Sequence, residues 1–166
     1  MKKLFEPVIV GGLELRNRFV RSATFEYALE GNESFLSCLL PMYKKLAENG
    51  VAAIITGMVG VDENSRVLPS MINTYGENFV PELGRLVQGV HALGTKLIAQ
   101  INHCGKKAGQ IDGGGSPLGP CDEENPQGKP VKGMTEENIR SVVASFATWL
   151  LYPTAAAYER RGLNLC

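Results

Sequence analysis

Three groups of polar residues stand where an apolar run stops, and these are the places where the chain could do chemistry. Residues 96–105 read KLIAQINHCG, in which Leu97, Ile98 and Ala99 lead into Gln100, Asn102 and His103. Ser22, Ala23 and Thr24 close the run FVRSAT, and Thr56 and Gly57 close VAAIITG. A buried strand that finishes in hydrogen-bonding side chains is how a parallel α/β sheet presents a ligand site, because ligands sit beyond the carboxyl ends of such strands. Hydroxyl, amide and exposed backbone groups can bond the rim of a flat heterocycle, and Gly57 would let a ring face approach the backbone closely. Spacing alone leaves a second reading equally open, in which Ser22 and Thr24 satisfy local backbone groups and Gln100 caps the sheet.

Holding three strand ends together requires elements in a fixed order, and the sequence supplies them. PMYKKLAENG reads as a helix: Pro41 suits an early helical position, Leu39, Tyr43, Leu46 and Ala47 share a face, and Gly50 is the stop. In residues 80–94, Leu83, Leu86, Val87, Val90 and Leu93 make a helical stripe that ends at Gly94. A third helix is expected after the N-cap Thr135, with Glu136 and Glu137 in its first turn and Ile139, Val142, Val143 and Phe146 on its buried face. Asn138 stands where a capping box needs Glu or Gln, so a full box is not expected. Pro153 should break or kink this helix, leaving a second piece over 154–161 before Gly162 and the strand-like LNLC. Four strand candidates alternating with three helical regions imply an α/β fold, a parallel sheet with right-handed crossovers. Residues 106–133, rich in Gly, Pro and acidic residues, read as a loop or excursion on the strand-end face, a site lid or partner surface.

Composition removes whole classes of function. Seventeen basic and seventeen acidic residues cancel in a chain of 166, which gives no electrostatic case for nucleic acid or an anionic membrane. No apolar run approaches the roughly 20 residues that span a bilayer. The N-terminus lacks an apolar h-region and a small-residue cleavage site, so a cytoplasmic location is expected. Cys38, Cys104, Cys121 and Cys166 form no C-x-x-C pair and match no zinc or iron–sulfur spacing, so no metal is assigned. His91 reads as a helix-surface residue, and His103 as a positioning group ahead of a proton carrier. Gly113, Gly114 and Gly115 follow no strand and open no helix, which fails the context test for a phosphate loop. The pairs Lys44 and Lys45, Lys106 and Lys107, and Arg160 and Arg161 are taken as solvated faces.

Read in order, LFEPVIVGGLELRNRFVRSATFEYALEG, NGVAAIITGMVGVDENSRV, VPELGRLVQGVHALGTKLIAQINHCGKKAG and SPLGPCDEENPQGKPVKGMTEENIRSVVASFA resemble the opening of the old yellow enzyme family. The resemblance runs in register to about Ala147. It implies the first part of a TIM (β/α)8 barrel, a truncated one with three to four parallel strands over 1–147. Residues 148–166 would be a divergent tail, either a fourth-strand entry or unrelated frameshifted sequence. It implies FMN as cofactor and NAD(P)H as electron donor, with Ser22, Ala23, Thr24 and Phe25 lining one edge of the flavin, Gly57 approaching the ring and Gln100 bonding its pyrimidine edge. Tyr27 falls where some members place a substrate-contacting tyrosine.

The chain departs from the family at two places. Gly105 and Lys106 stand for the family's Gly-Arg, replacing a planar fork with a point charge, and Phe25 carries no polar or thiol handle. The family's substrate-anchoring His–His or His–Asn pair, its flavin-contacting arginine and its phosphate grip belong to later strands. A closed barrel of this class needs roughly 250 residues. Two functions of different class follow as expectations. One is the N-terminal portion of an FMN-dependent NAD(P)H oxidoreductase of ene-reductase type, not active alone. The other is a non-catalytic partial barrel acting as a homo-oligomer or assembly partner that covers an open sheet edge.

Overall fold

The structure, a computed structural model, describes residues 3–26, 34–69, 71–74, 79–109 and 115–159, with side chains to residue 150. The chain divides into two compact units. One holds the chain up to Val59 and the second helix with its strand as far as Gln100; the other holds Gly60–Pro69 and the chain from Ile101 onward.

The first unit opens with an antiparallel hairpin, β1 (Val8–Val10) and β2 (Leu13–Leu15), with Val8 opposite Leu15. Gly11 and Gly12 form its two-residue turn at φ 55° and 83°, where only glycine sits without strain. Alternating apolar residues around Gly-Gly carry this signal in plain sequence, and it is missed when the segment is read only for its resemblance. Leu15 packs on Ala52 and Ala53, with Val8 against them.

Next come β3 (Val20–Arg21), α1 (Phe35–Glu48), β4 (Ala53–Gly60), α2 (Phe79–His91) and β5 (Lys96–Asn102). The strands form one sheet in the order β3-β4-β5. β3 and β4 run parallel, with Val20 beside Ala53. The Lys96 amide donates to the Ala52 carbonyl at 2.9 Å and the Gln100 amide to Thr56 Oγ1 at 3.0 Å, so β5 climbs in the same direction as β4. The expected parallel alternation is present for three strands; the fourth candidate, residues 163–166, lies outside the described residues.

β4 is buried along nearly its whole length because it is the middle strand. Leu39, Tyr43 and Ala47 of α1 and Leu86 and Val90 of α2 are all at most 1% exposed and supply the core. α1 begins at Phe35, so Pro41 is its seventh residue and not an early one. A proline inside a helix costs about 3 kcal/mol. Burying Phe35, which stacks on Phe79 at 5.7 Å, and Leu39 returns about 1.5–3 kcal/mol for each side chain, so the apolar stripe wins. The expected stops hold. Gly50 at φ 91° closes α1 in a Schellman pattern, with its own amide on Ala47 O and the Val51 amide on Leu46 O, and Gly94 after α2 sits at φ 74°.

Arg16 fastens these turns from below. Its guanidinium donates to the carbonyls of Leu93, Ala47 and Val51 at 2.8, 2.7 and 2.9 Å and to Thr95 Oγ1 at 3.0 Å. One side chain thus satisfies acceptors at the ends of both helices. Arg16→Ala should cost about 2 kcal/mol, the value of a charge-assisted fork that is partly exposed, read as a lower urea midpoint. An unchanged midpoint would show that water replaces the fork at no cost.

In the second unit the excursion builds its own sheet. β6 (Leu118–Gly119), β7 (Glu123–Glu124) and β8 (Pro130–Gly133) pair in the order β6-β8-β7, parallel on one side and antiparallel on the other. Asn125 shapes the β7–β8 turn, its Oδ1 accepting from the Gln127 and Lys129 amides.

α3 (Glu136–Glu159) follows, and it corrects three expectations. Asn138 does complete a reciprocal cap: its Oδ1 accepts the Thr135 amide at 3.0 Å while its own amide donates to Thr135 Oγ1 at 3.2 Å. A side-chain amide oxygen reaches back as a carboxylate would. Pro153 does not divide the helix, which runs through it to Glu159; proline deletes a single helical bond, and Ala155, Ala156 and Ala157 are strong helix formers. The face expected to be buried is open: Ile139 is 50% and Val143 62% exposed, with Leu150 at 64%, while Val142 and Phe146 are half-buried. The helical period is right, but the described residues cover the stripe only in part.

Candidate functional site

β3 is only two residues long, so residues 22–26 leave the sheet as an irregular segment past its carboxyl end. Ser22, Ala23 and Thr24 are exposed and Phe25 is half-buried. Tyr27 lies outside the described residues. β4 and β5 both run further than the sequence suggests, so Gly57 and Gln100 sit within strands and not after them. β5 is also more open than its apolar run implies: Ile98 is 40% exposed, and Ala99 and Gln100 are exposed, because among the described residues β5 is the last strand of the sheet.

The three sequence-predicted groups still meet. A Cβ placed on Gly57 would fall against Glu26 Oε2 and 2.7 Å from the Thr24 carbonyl oxygen. Thr56, 3% exposed, donates its hydroxyl to the Gly57 carbonyl at 2.8 Å and accepts the Gln100 amide at 3.0 Å. Thr24 therefore touches Gly57, and Gln100 is tied to Gly57 through Thr56. Glycine at 57 has a reason inside the protein itself, since Glu26 and Thr24 take the space a side chain would fill. Thr24 Oγ1 bonds the Ser22 carbonyl at 3.2 Å, the local role its type allows.

Beneath this edge is a charged cluster that sequence reasoning missed. The Glu26 side chain, 8% exposed, accepts the Tyr43 hydroxyl at 2.6 Å and pairs with Arg21 Nη2 at 2.9 Å, both through Oε1. Arg21 also donates to the Ile55 carbonyl at 3.1 Å and lies 5.3 Å above the Tyr43 ring centroid. Burial, then the bond and charge of Glu26, push the Tyr43 hydroxyl well above its ordinary range; Arg21 and the Gly57 backbone pull the other way and lose. Tyr43 is thus a fixed donor. The available signal was the pairing of Arg21 and Glu26 around the segment, with a tyrosine on the buried helix face.

The remaining candidates serve other ends. Asn102 and His103 belong to the second unit. Asn102 Nδ2 donates to Cys104 Sγ at 3.0 Å, and burial raises the Cys104 thiol. His103 Nδ1 accepts the Gly105 amide at 3.0 Å, which leaves the ring proton on Nε2, 3.8 Å from Asp62 Oδ2. Asp62 in turn caps the short turn Glu63–Ser65. Lys106, in place of an arginine, is 53% exposed and 3.4 Å from Glu123. His91 is exposed at the end of α2, its pKa lowered by partial burial and by Lys96. Gly113 and Gly114 lie outside the described residues, and a Cβ on Gly115 would collide with the Asn64 backbone. Among the described residues no helix is long and apolar enough to cross a membrane, and no three His, Cys, Asp or Glu side chains gather to hold a metal.

The model of the NADH:flavin oxidoreductase / NADH oxidase family matches residues 3–149. The chain belongs to this family. A metal reductase of Desulforamulus reducens is 30% identical over 148 residues, covering 89% of this chain and 22% of the relative. An NADPH dehydrogenase of Listeria monocytogenes is 32% identical over 150 residues, covering 88% of this chain and 43% of the relative. Among solved structures, the old yellow enzyme homologue of Zymomonas mobilis superposes with a TM-score of 0.74 over 87% of this chain and 43% of its own, at 16% identity. This family member thus has the fold of a partial TIM barrel, and it spans less than half the length of these relatives.

Proposed function

We propose that this flavin oxidoreductase family member forms one wall of an FMN site, the N-terminal portion of an NAD(P)H-dependent oxidoreductase of ene-reductase type. Ser22, Ala23, Thr24 and Phe25 line one edge of the ring, Gly57 presents its backbone to it, and Gln100 bonds the pyrimidine side; Tyr27 contacts substrate. One observation carries the reading: the segment past β3, Gly57 within β4 and Gln100 within β5 are knit into one surface by Thr24 against Gly57 and by Thr56 between Gly57 and Gln100. The donor set fits the group. Exposed hydroxyls and an exposed side-chain amide match the mixed donor and acceptor rim of an isoalloxazine. When bound, FMN would supply hydride transfer from a nicotinamide to an electron-poor acceptor. The protein's part is to hold the ring and set the hydrogen bonds that tune it. A cytoplasmic location accompanies this reading.

A second reading rests on the exposed residues of α3 and on β5, the last strand of its sheet among the described residues. Ile139, Val143 and Leu150 lie on one face of α3 over about three turns, and such a patch invites a second copy or an assembly partner. One experiment weighs both: titration of the purified chain with FMN, followed by fluorescence quenching, with the mass measured by light scattering. Saturable quenching at one FMN per chain supports the flavin wall. No quenching together with a dimer or larger species supports the assembly role, and no quenching from a monomer leaves neither standing.

A further inference from the structure

We propose that Glu26 is the positioning residue of the flavin edge, holding the segment of Ser22 to Phe25 in register against Gly57. The inference rests on the flavin-wall reading and adds to it a residue that touches no ligand. Residues 22–26 pair in no strand, so their path must be fixed by side chains. Glu26 closes that segment and is anchored at one oxygen by two different elements, Tyr43 of α1 and Arg21 of β3. Its other oxygen lies against Gly57 of β4. Arg21 adds a third anchor at the Ile55 carbonyl, so the carboxylate links both flanking elements to the middle strand. Such buried charged groups repay their desolvation only when every partner is in place. Here the full set exists, and what it fixes is the chain that would meet the ring. The arrangement is that of an outer partner whose work is to lock the residues in front of it.

Two measurements on the full chain test this, one without cofactor and one with it. Glu26→Ala removes both bonds. Glu26→Gln keeps the length and an acceptor for Tyr43, and Tyr43→Phe deletes only the hydroxyl. In the cofactor-free protein, amide hydrogen exchange over residues 19–26 should rise about tenfold in Glu26→Ala, the size expected for one lost charge-assisted bond, while Phe79–His91 exchanges as before. FMN should bind Glu26→Ala about tenfold more weakly and with a shifted visible absorption band, and Glu26→Gln within about threefold of the parent. If Glu26→Ala does not fold, Tyr43→Phe carries the test, with faster exchange confined to 19–26 and weaker FMN expected. Parent-like exchange and affinity in Glu26→Ala or Tyr43→Phe would overturn the proposal while leaving the flavin wall intact. A parent chain that takes up no FMN removes the flavin wall, and this proposal with it.

Discussion

Gly57→Ala should destabilise the first unit by about 3 kcal/mol, the cost of forcing an extra methyl into a filled site, and should abolish FMN uptake. The new Cβ would meet the Thr24 carbonyl oxygen at 2.7 Å and the Glu26 carboxylate beside it. Neither can yield easily. The first is backbone, and the second is pinned by Tyr43 and Arg21. Relief would come only by pushing residues 22–26 away from β4, which opens the surface on which the flavin edge depends. Gly89→Ala is the fitting control. Its Cβ would approach Leu40 Cδ1 at 2.6 Å, the flexible end of a side chain, and alanine is favoured over glycine in a helix by about 1 kcal/mol. Urea unfolding should therefore separate the two variants by about 1–3 M in midpoint, a loss of about 3 kcal/mol divided by an m-value of about 1–3 kcal/mol/M. Equal midpoints would show that the Gly57 contact is soft.

Much of this architecture was written in local patterns. Helical stripes with a glycine after each, Gly50 and Gly94, fixed the two helices because periodicity and a left-handed stop are properties of neighbouring residues. Polar residues after apolar runs singled out Ser22, Thr24 and Gln100, but β4 and β5 run on through Gly57 and Gln100, so where those strands end was not a local property. What was not legible depends on who packs against whom. Nothing in LIAQ says that β5 is the last strand among the described residues with Ile98 in the open, and nothing in the stripe Ile139, Val142, Val143 and Phe146 says that Ile139 and Val143 stay exposed among them. Pro41 looked like a helix start because its own chemistry is local, whereas the burial of Phe35 and Leu39 that carries the helix past it is not. The Arg21, Glu26 and Tyr43 cluster is the clearest case. Its members are 5 and 17 residues from Glu26 in sequence, and only the fold brings them within hydrogen-bonding distance.

Arg21→Met should be nearly as damaging, about 3 kcal/mol, because it leaves the Glu26 carboxylate buried without its cation. The loss should exceed what the arginine stem and its bond to Ile55 contribute, since methionine retains much of the apolar contact with the Tyr43 ring. Arg21→Met with Glu26→Gln should recover a large part of it, giving a coupling of about 1–3 kcal/mol between the two sites in a double-mutant cycle; additive losses would show that the pair is not one unit. The same cluster should contribute to the loss of stability at high pH. Tyr43 holds its proton more tightly folded than unfolded, where it is released near pH 10.0. The folded state therefore binds more protons above that pH, and stability must fall as pH rises, with the tyrosine's contribution complete below it. Arg21 is a force lowering the Tyr43 pKa, so its removal raises that pKa further and carries the decline to higher pH. Unfolding free energies measured from pH 8 to 11 should show this decline beginning near pH 10, with the same slope in the parent and in Arg21→Met because both folded states keep the proton over that window, and a flatter profile in Tyr43→Phe. A Tyr43→Phe profile as steep as the parent's would place the alkaline loss on some other group.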